Sequence, residues 1–389
     1  MRIAYLDNAA TTAVRPEVLD AMLPFLGAES FGNPSSAHRF GRAARVGVEE
    51  ARRTIAAALS AEPSQVIFTS GGTEADNLAV IGAALAARDR GRPFRAAVSS
   101  VEHKAVLAAA HFVAHLGGEE TLLPVNASGV VEEEALEEAL ARGVGIVSVI
   151  WVNNEVGFIQ PVAQLAARCR EAGVPFHTDA VQALGKIPVS LRDAGCTLLT
   201  ISGHKIGAPK GVGALVVRDR HAVEAIIHGG GQQFGLRPGT ENVPGIVGLG
   251  KAVELAAAEQ PELARRLTVL RDDLERRVLA VVPDARVNAW HAERAPHVSN
   301  ISIPGTDSEA MLMHLDMAGI ACSSGSACST GTVEPSHVLT AMGVPHELGA
   351  SALRFSFGRD STPEDVDAVI GALPKIVEKV RALSAVLHR

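Results

Sequence analysis

Val66-Ile67-Phe68-Thr69-Ser70-Gly71-Gly72-Thr73-Glu74 decides the fold. A strand-length run of β-branched and aromatic residues is closed by a glycine pair, and Thr73-Glu74 then opens a helical pattern. Outward from it, Ala96-Ala97-Val98-Ser99, Gly145 to Val152, Val174 to Thr178, Leu198 to Ile201 and Gly213 to Val217 are each apolar enough for central strands, with helical patterns between them. Such alternation winds βαβ units into a parallel sheet covered on both faces. The expected fold class is α/β: a mainly parallel sheet with helices on both faces, plus a smaller α+β domain. Ligands of open α/β sheets gather outside the carboxyl ends of strands. Ser70-Gly71-Gly72-Thr73, His103, Asn154, Asp179 and Ser202 to Lys205 are therefore expected to converge on one crevice.

A chain of 389 residues is too long for one ordinary core, which predicts two lobes within one catalytic unit. A long helical pattern from about Val247 to Val281, carrying Leu255, Leu263, Leu267, Leu270 and Leu274, is expected to bridge them. The division is set at 14–255 for a large domain and 256–389 for a small one, joined by the segment 1–13. Apolar residues make up 47% of the chain, but no apolar run approaches bilayer length, so no membrane role is expected. The opening Met1-Arg2-Ile3-Ala4-Tyr5-Leu6-Asp7 has neither the apolar core of a signal peptide nor the character of a transit peptide, and the expected location is the cytoplasm. A net charge of -7 gives no field to attract nucleic acid. Cys169, Cys196, Cys322 and Cys328 show neither CxxC pairing nor zinc-type spacing and read as free thiols.

Lys205, in Ser202-Gly203-His204-Lys205, follows an apolar strand and is flanked by Gly207, Ala208 and Pro209. That setting describes a fixed, partly desolvated amine able to capture a carbonyl cofactor, where a lone lysine would read as a surface charge. Asp179 ends the preceding strand unit, where a carboxylate is equally suited to a protonated ring nitrogen and to a helix cap. Ser70 to Glu74 offers unpaired N–H groups to an anion such as phosphate, or is simply a strand-to-helix turn with Thr73 as N-cap. His103 can stack on a ring or move a proton, although most histidines do neither. In Leu353-Arg354-Phe355-Ser356-Phe357 the alternation turns Arg354 and Ser356 to one face, where a guanidinium can grip a carboxylate or merely be exposed. Cys328 stands among small neutral residues in Cys322 to Gly331, which gives reach and no packing role, while Cys169 and Cys196 read as buried and Cys322 as anchored at a strand end. Gly245 to Lys251 has phosphate-loop spacing but Ala252 where a hydroxyl is required, and His228-Gly229-Gly230-Gly231 lacks the nucleophile elbow of a hydrolase.

The set closely resembles the cysteine desulfurases of the iron–sulfur cluster assembly type, within the class V aminotransferase family, of pyridoxal-phosphate fold type I. The landmarks are Tyr5 to Thr12, Gly32-Asn33-Pro34-Ser35-Ser36, Thr69 to Glu74, Glu102-His103-Lys104, Asn153 to Gly157, Ser202 to Lys205 and Ser323 to Cys328, spread over essentially the whole chain. The resemblance implies that Lys205 carries pyridoxal 5'-phosphate, Asp179 meets its pyridine nitrogen, Gln182 its phenolic oxygen, and His103 stacks over the ring. By the same resemblance Asn154 would also touch the cofactor. Gly72, Thr73, Ser202 and His204 hold the phosphate, joined by Thr240 from a second subunit, which implies a homodimer. By the same resemblance Asn33 and Arg354 would bind the carboxylate of L-cysteine. Lys205, with His103, moves the α-proton, and Cys328 takes the sulfur as a persulfide in a loop matching the family's longer version, suited to passing sulfur to acceptors such as an iron–sulfur scaffold. No metal site is implied beyond a transient cluster ligand at Cys328. The rival readings are a selenocysteine lyase, an ordinary class V aminotransferase that needs no thiol, and an idle protein that binds assembly partners.

Overall fold

The computed structural model describes residues 3–324 and 336–387. In chain order its strands are β1 (Ala4–Tyr5), β2 (Val66–Thr69), β3 (Arg95–Ser99), β4 (Glu119–Leu123), β5 (Ile146–Ser148), β6 (Phe176–Asp179), β7 (Leu198–Ser202), β8 (Gly213–Val217), β9 (Arg286–Val287), β10 (Val298–Ser302), β11 (Ile320–Ala321) and β12 (Ala352–Ser356). A seven-stranded sheet runs in the order β2-β8-β7-β6-β5-β3-β4. The pairs from β7 to β4 are parallel, and β8 lies antiparallel to both its neighbours. The sheet is thus mainly parallel. Its strands are apolar on both sides because both faces are covered: Val66, Phe68, Val147 and Leu199 enter one core, while Ile67, Val98, Ile146 and Leu198 enter the core on the other face.

The run Gly145 to Val152 yields a shorter strand than its composition predicts. Beyond Ser148 the backbone still bonds to its neighbour, Val149 N–H to His177 O at 3.1 Å and Trp151 N–H to Asp179 O at 2.9 Å, but it is already turning into the Asn153–Gly157 bend. Gly213, at the start of β8, passes so close to the glycine turn that a Cβ there would lie 2.8 Å from the backbone of Gly71 and 2.7 Å from Ile201 O. Only glycine allows that approach.

The long helix begins at Val243, earlier than the periodicity predicts, because Asn242 caps it through Gly245 N–H at 3.2 Å and Pro244 suits its first turn. It continues to Val281, about 58 Å at the usual rise per residue. Ile246, Leu249 and Val253 belong to the core under the large sheet, and Leu267, Leu270, Leu274 and Val278 to a separate core. That second core packs against the antiparallel sheet β12-β10-β9. The N-terminal segment crosses between the two: β1 pairs with β11, and then Thr12 N–H bonds His204 O at 2.9 Å and Arg15 N–H bonds Gly207 O at 3.0 Å. No described helix is long and apolar enough to cross a membrane.

Candidate active site

Lys205 closes a short 3-10 turn, Gly203–Lys205, directly after β7, and its Nζ donates to Ala9 O at 2.6 Å and Ala10 O at 2.7 Å. Burial, reinforced by the Arg354 guanidinium, pushes this amine down to about 8, while Asp179 and Asp7 pull the other way. Asp179 ends the neighbouring β6, buried, with Val181 N–H donating to its Oδ1 at 2.8 Å. It caps a turn and not a helix. Burial raises its carboxyl, against the pull of His103 and Lys205, so a cation placed beside it would be strongly held. Gln182, buried on the following turn, donates from Nε2 to Ala9 O at 2.9 Å.

The helix Gly72–Asp89 starts one residue beyond Gly71, which is the N-cap and supplies no side-chain cap. Thr73 therefore lies inside the first turn and is not the cap that the sequence suggests; the Gly71 backbone, at φ 156°, makes the turn first. The first-turn N–H groups are left for an anion, beside the hydroxyls of Thr73 and Ser202. His204 joins them with Nδ1 3.1 Å from Thr11 Oγ1, and burial next to Lys205 and Lys210 pushes its ring down to about 4, keeping it neutral. His103 is exposed at the start of the helix Lys104–His115, its Nδ1 accepting from Ala105 N–H at 3.1 Å. This donor set fits a phosphate-bearing aromatic aldehyde with a basic ring nitrogen.

On β12 Leu353 and Phe355 enter the second core and Arg354 turns to the site. Its Nη2 donates to Asp7 Oδ1 at 2.7 Å and its Nη1 to Asn154 O at 2.9 Å, while its buried Nε has no hydrogen-bond partner among the described residues. A buried guanidinium edge of that kind suits a ligand carboxylate. Asn33 stands exposed, its Oδ1 accepting from Ser35 N–H at 2.9 Å, and no hydrogen bond or ion pair among the described residues joins it to Arg354. Thr240 is likewise exposed, on a loop pinned by Gly239 N–H to Gln232 Oε1 at 3.0 Å.

Cys328 lies outside the described residues. The residues that bracket its segment are held at the site: Ser323 N–H bonds Arg354 O at 3.1 Å, Ser336 Oγ bonds the Glu155 carboxylate, and His337 Nε2 lies 2.9 Å from Glu102 O, next to His103. Cys169, Cys196 and Cys322 are each pushed up to about 12 by burial and stay protonated thiols.

Several polar groups around the site have parts that their own sequence pattern does not assign. Glu102 accepts from Ile150 N–H at 2.6 Å and from Ser99 Oγ, and burial raises it to about 8. His177, pushed down to about 3 by burial, links Ser148 Oγ at 2.8 Å to Thr200 Oγ1 at 2.9 Å beneath the site. Asp7 sits in the landmark Tyr5 to Thr12, yet its ion pair spans most of the chain. An ionisable residue inside an otherwise apolar run, such as His177, is the only hint available at sequence level.

The aminotransferase class-V family matches residues 4–369. The chain is similar to the cysteine desulfurase IscS of Dictyoglomus turgidum, 46% identical over 98% of this chain and 96% of that one. It is also similar to two solved structures. A NifS-like protein has a TM-score of 0.87 at 34% identity, with 99% and 100% of the two chains covered. SspA in complex with cysteine has a TM-score of 0.78 at 34% identity, covering 91% of this chain and 98% of that one.

Proposed function

The chain belongs to the class-V aminotransferase family, and from that premise we propose that it is a cysteine desulfurase, taking sulfur from L-cysteine onto Cys328 as a persulfide and releasing L-alanine. One observation favours this over plain transamination. The described residues on either side of the segment carrying a thiol, Ser323 and Ser336, are tied to Arg354 and Glu155, and Arg354 is near enough to Lys205 to depress its amine.

When bound, pyridoxal 5'-phosphate withdraws electrons from the α-carbon of an amino acid through its protonated pyridine ring. Lys205 would hold it, with Asp179 serving the ring nitrogen, Gln182 the phenolic oxygen, and His103 and Asn154 the ring. The helix start at Gly72 and Thr73, with Ser202 and His204, would hold the phosphate, and Thr240 of a second copy would complete the cradle in a homodimer. Arg354, with Asn33, grips the substrate carboxylate and so orients the reacting carbon. Lys205, assisted by His103, takes the α-proton, an exchange suited to an amine poised near 8. The Cys328 thiolate attacks the substrate sulfur: the S–S bond forms, the C–S bond breaks with its electron pair left on carbon, the β-carbon takes a proton to become the methyl of alanine, and the α-proton taken by Lys205 is returned to the α-carbon. An acceptor thiol, such as that of an iron–sulfur scaffold, then removes the outer sulfur. We assign the cofactor to a large domain, 14–255, and the thiol to a small one, 256–389, working in the cytoplasm.

Incubation with 35S-cysteine tests this reading. Label bound to the protein, released by a thiol reductant and missing from Cys328→Ser, is expected; equal labelling of the variant would refute Cys328 as the carrier.

A further inference from the structure

Gln182 has only one tenable amide orientation. Ala9 O can accept but not donate, so the atom 2.9 Å from it must be the NH2, because a flipped amide would set two carbonyls against each other. Oε1 of Gln182 therefore faces Nε2 of His297 at 3.1 Å, and a hydrogen must lie between them. His297 is fully buried, and burial with Lys186, Arg354, Arg271 and Lys205 around it holds the ring far below its usual range, so it carries a single N–H. That hydrogen sits on Nε2. The opposite tautomer would leave an N–H at Nδ1, which is buried without a partner among the described residues, and would turn a lone pair on the Gln182 carbonyl.

We propose that His297 is a positioning residue for the cofactor, anchoring Oε1 of the Gln182 amide while Ala9 O takes one N–H, so that the remaining N–H is held toward the cofactor's phenolic oxygen. The inference rests on the reading of Gln182 as the partner of that oxygen and adds what holds it there. The direction of the chain is fixed throughout: His297 Nε2–H donates to Gln182 Oε1, one N–H of Gln182 donates to Ala9 O, and the other is left for the cofactor. His297 immediately precedes β10, and its own carbonyl accepts from Phe357 N–H at 2.8 Å. The small-lobe sheet thus sets a hydrogen bond inside the large lobe.

The test uses the cofactor's visible absorption maximum and the Kd for pyridoxal phosphate titrated into apo-protein. Gln182→Ala is expected to move both. His297→Phe should move them in the same direction, the double variant should move them no further, and His297→Gln, which returns an N–H near the Nε2 position, should restore wild-type values. A wild-type spectrum and Kd in His297→Phe, while Gln182→Ala shifts them, would overturn the role of His297. An unchanged Gln182→Ala would instead remove the underlying reading of Gln182. Nitrogen NMR of 15N-histidine-labelled wild-type protein checks the tautomer without any variant: Nε2–H is expected, and Nδ1–H or a doubly protonated ring contradicts the proposal.

Discussion

A lysine amine in water keeps its proton to about 10.5, and that of Lys205 yields it near 8 because burial and Arg354 outweigh Asp179 and Asp7. Capture of pyridoxal phosphate by apo-protein needs the neutral amine, so its rate should climb with pH to about 8 and level off above it; a rate still climbing to 10.5 would deny the depressed amine. Glu102 shifts the other way, from 4.5 to about 8. Its stabilising contribution is fully present below 4.5, is lost as pH rises to about 8, and is flat beyond, since the folded state holds a proton that the unfolded state has released. Glu102→Gln should match wild type near pH 5 in urea denaturation and exceed it at pH 8, by the order of a few kcal/mol. Arg354→Lys should raise KM for cysteine about tenfold or more with less effect on kcat, because an ammonium cannot reproduce the planar fork. Lys205, Asp179 and Arg354 were legible in the sequence because each is a chemically capable residue at or within a strand-like run. Glu102, His297 and the Ala9 carbonyl were not. Their parts arise from contacts that span up to about half the chain, which no local pattern records.

The elements of the large sheet were legible because burial on both faces leaves continuous apolar runs. Where a strand stops is decided by its neighbours, which is why the run from Gly145 ends as a strand at Ser148. The same holds for the glycine turn after β2, where the cap is Gly71 and not Thr73 because the backbone takes a conformation that glycine supplies without strain. Gly213 supports that turn from below. Gly213→Val should force β8 away from Gly71 and weaken pyridoxal phosphate binding to apo-protein by about tenfold or more; an unchanged Kd would show that the turn does not depend on this contact.

At the scale of the whole molecule the helix Val243–Val281 is a single rod with one half in each of two cores, and the N-terminal strand is paired in the lobe opposite to the one that holds Lys205. The two lobes meet at the site through short polar contacts: Arg354 to Asn154 O, Ser336 to Glu155, His297 to Gln182. Arg354, Gln182 and the described residues Ser323 and Ser336 are therefore referred to one junction. The most direct measurement is of alanine and sulfide together, from purified protein given cysteine and a thiol reductant, with Cys328→Ser beside the wild type. Equal amounts of the two from wild type and neither from the variant are predicted. No alanine from wild type, or undiminished alanine and sulfide from the variant, would contradict the desulfurase mechanism.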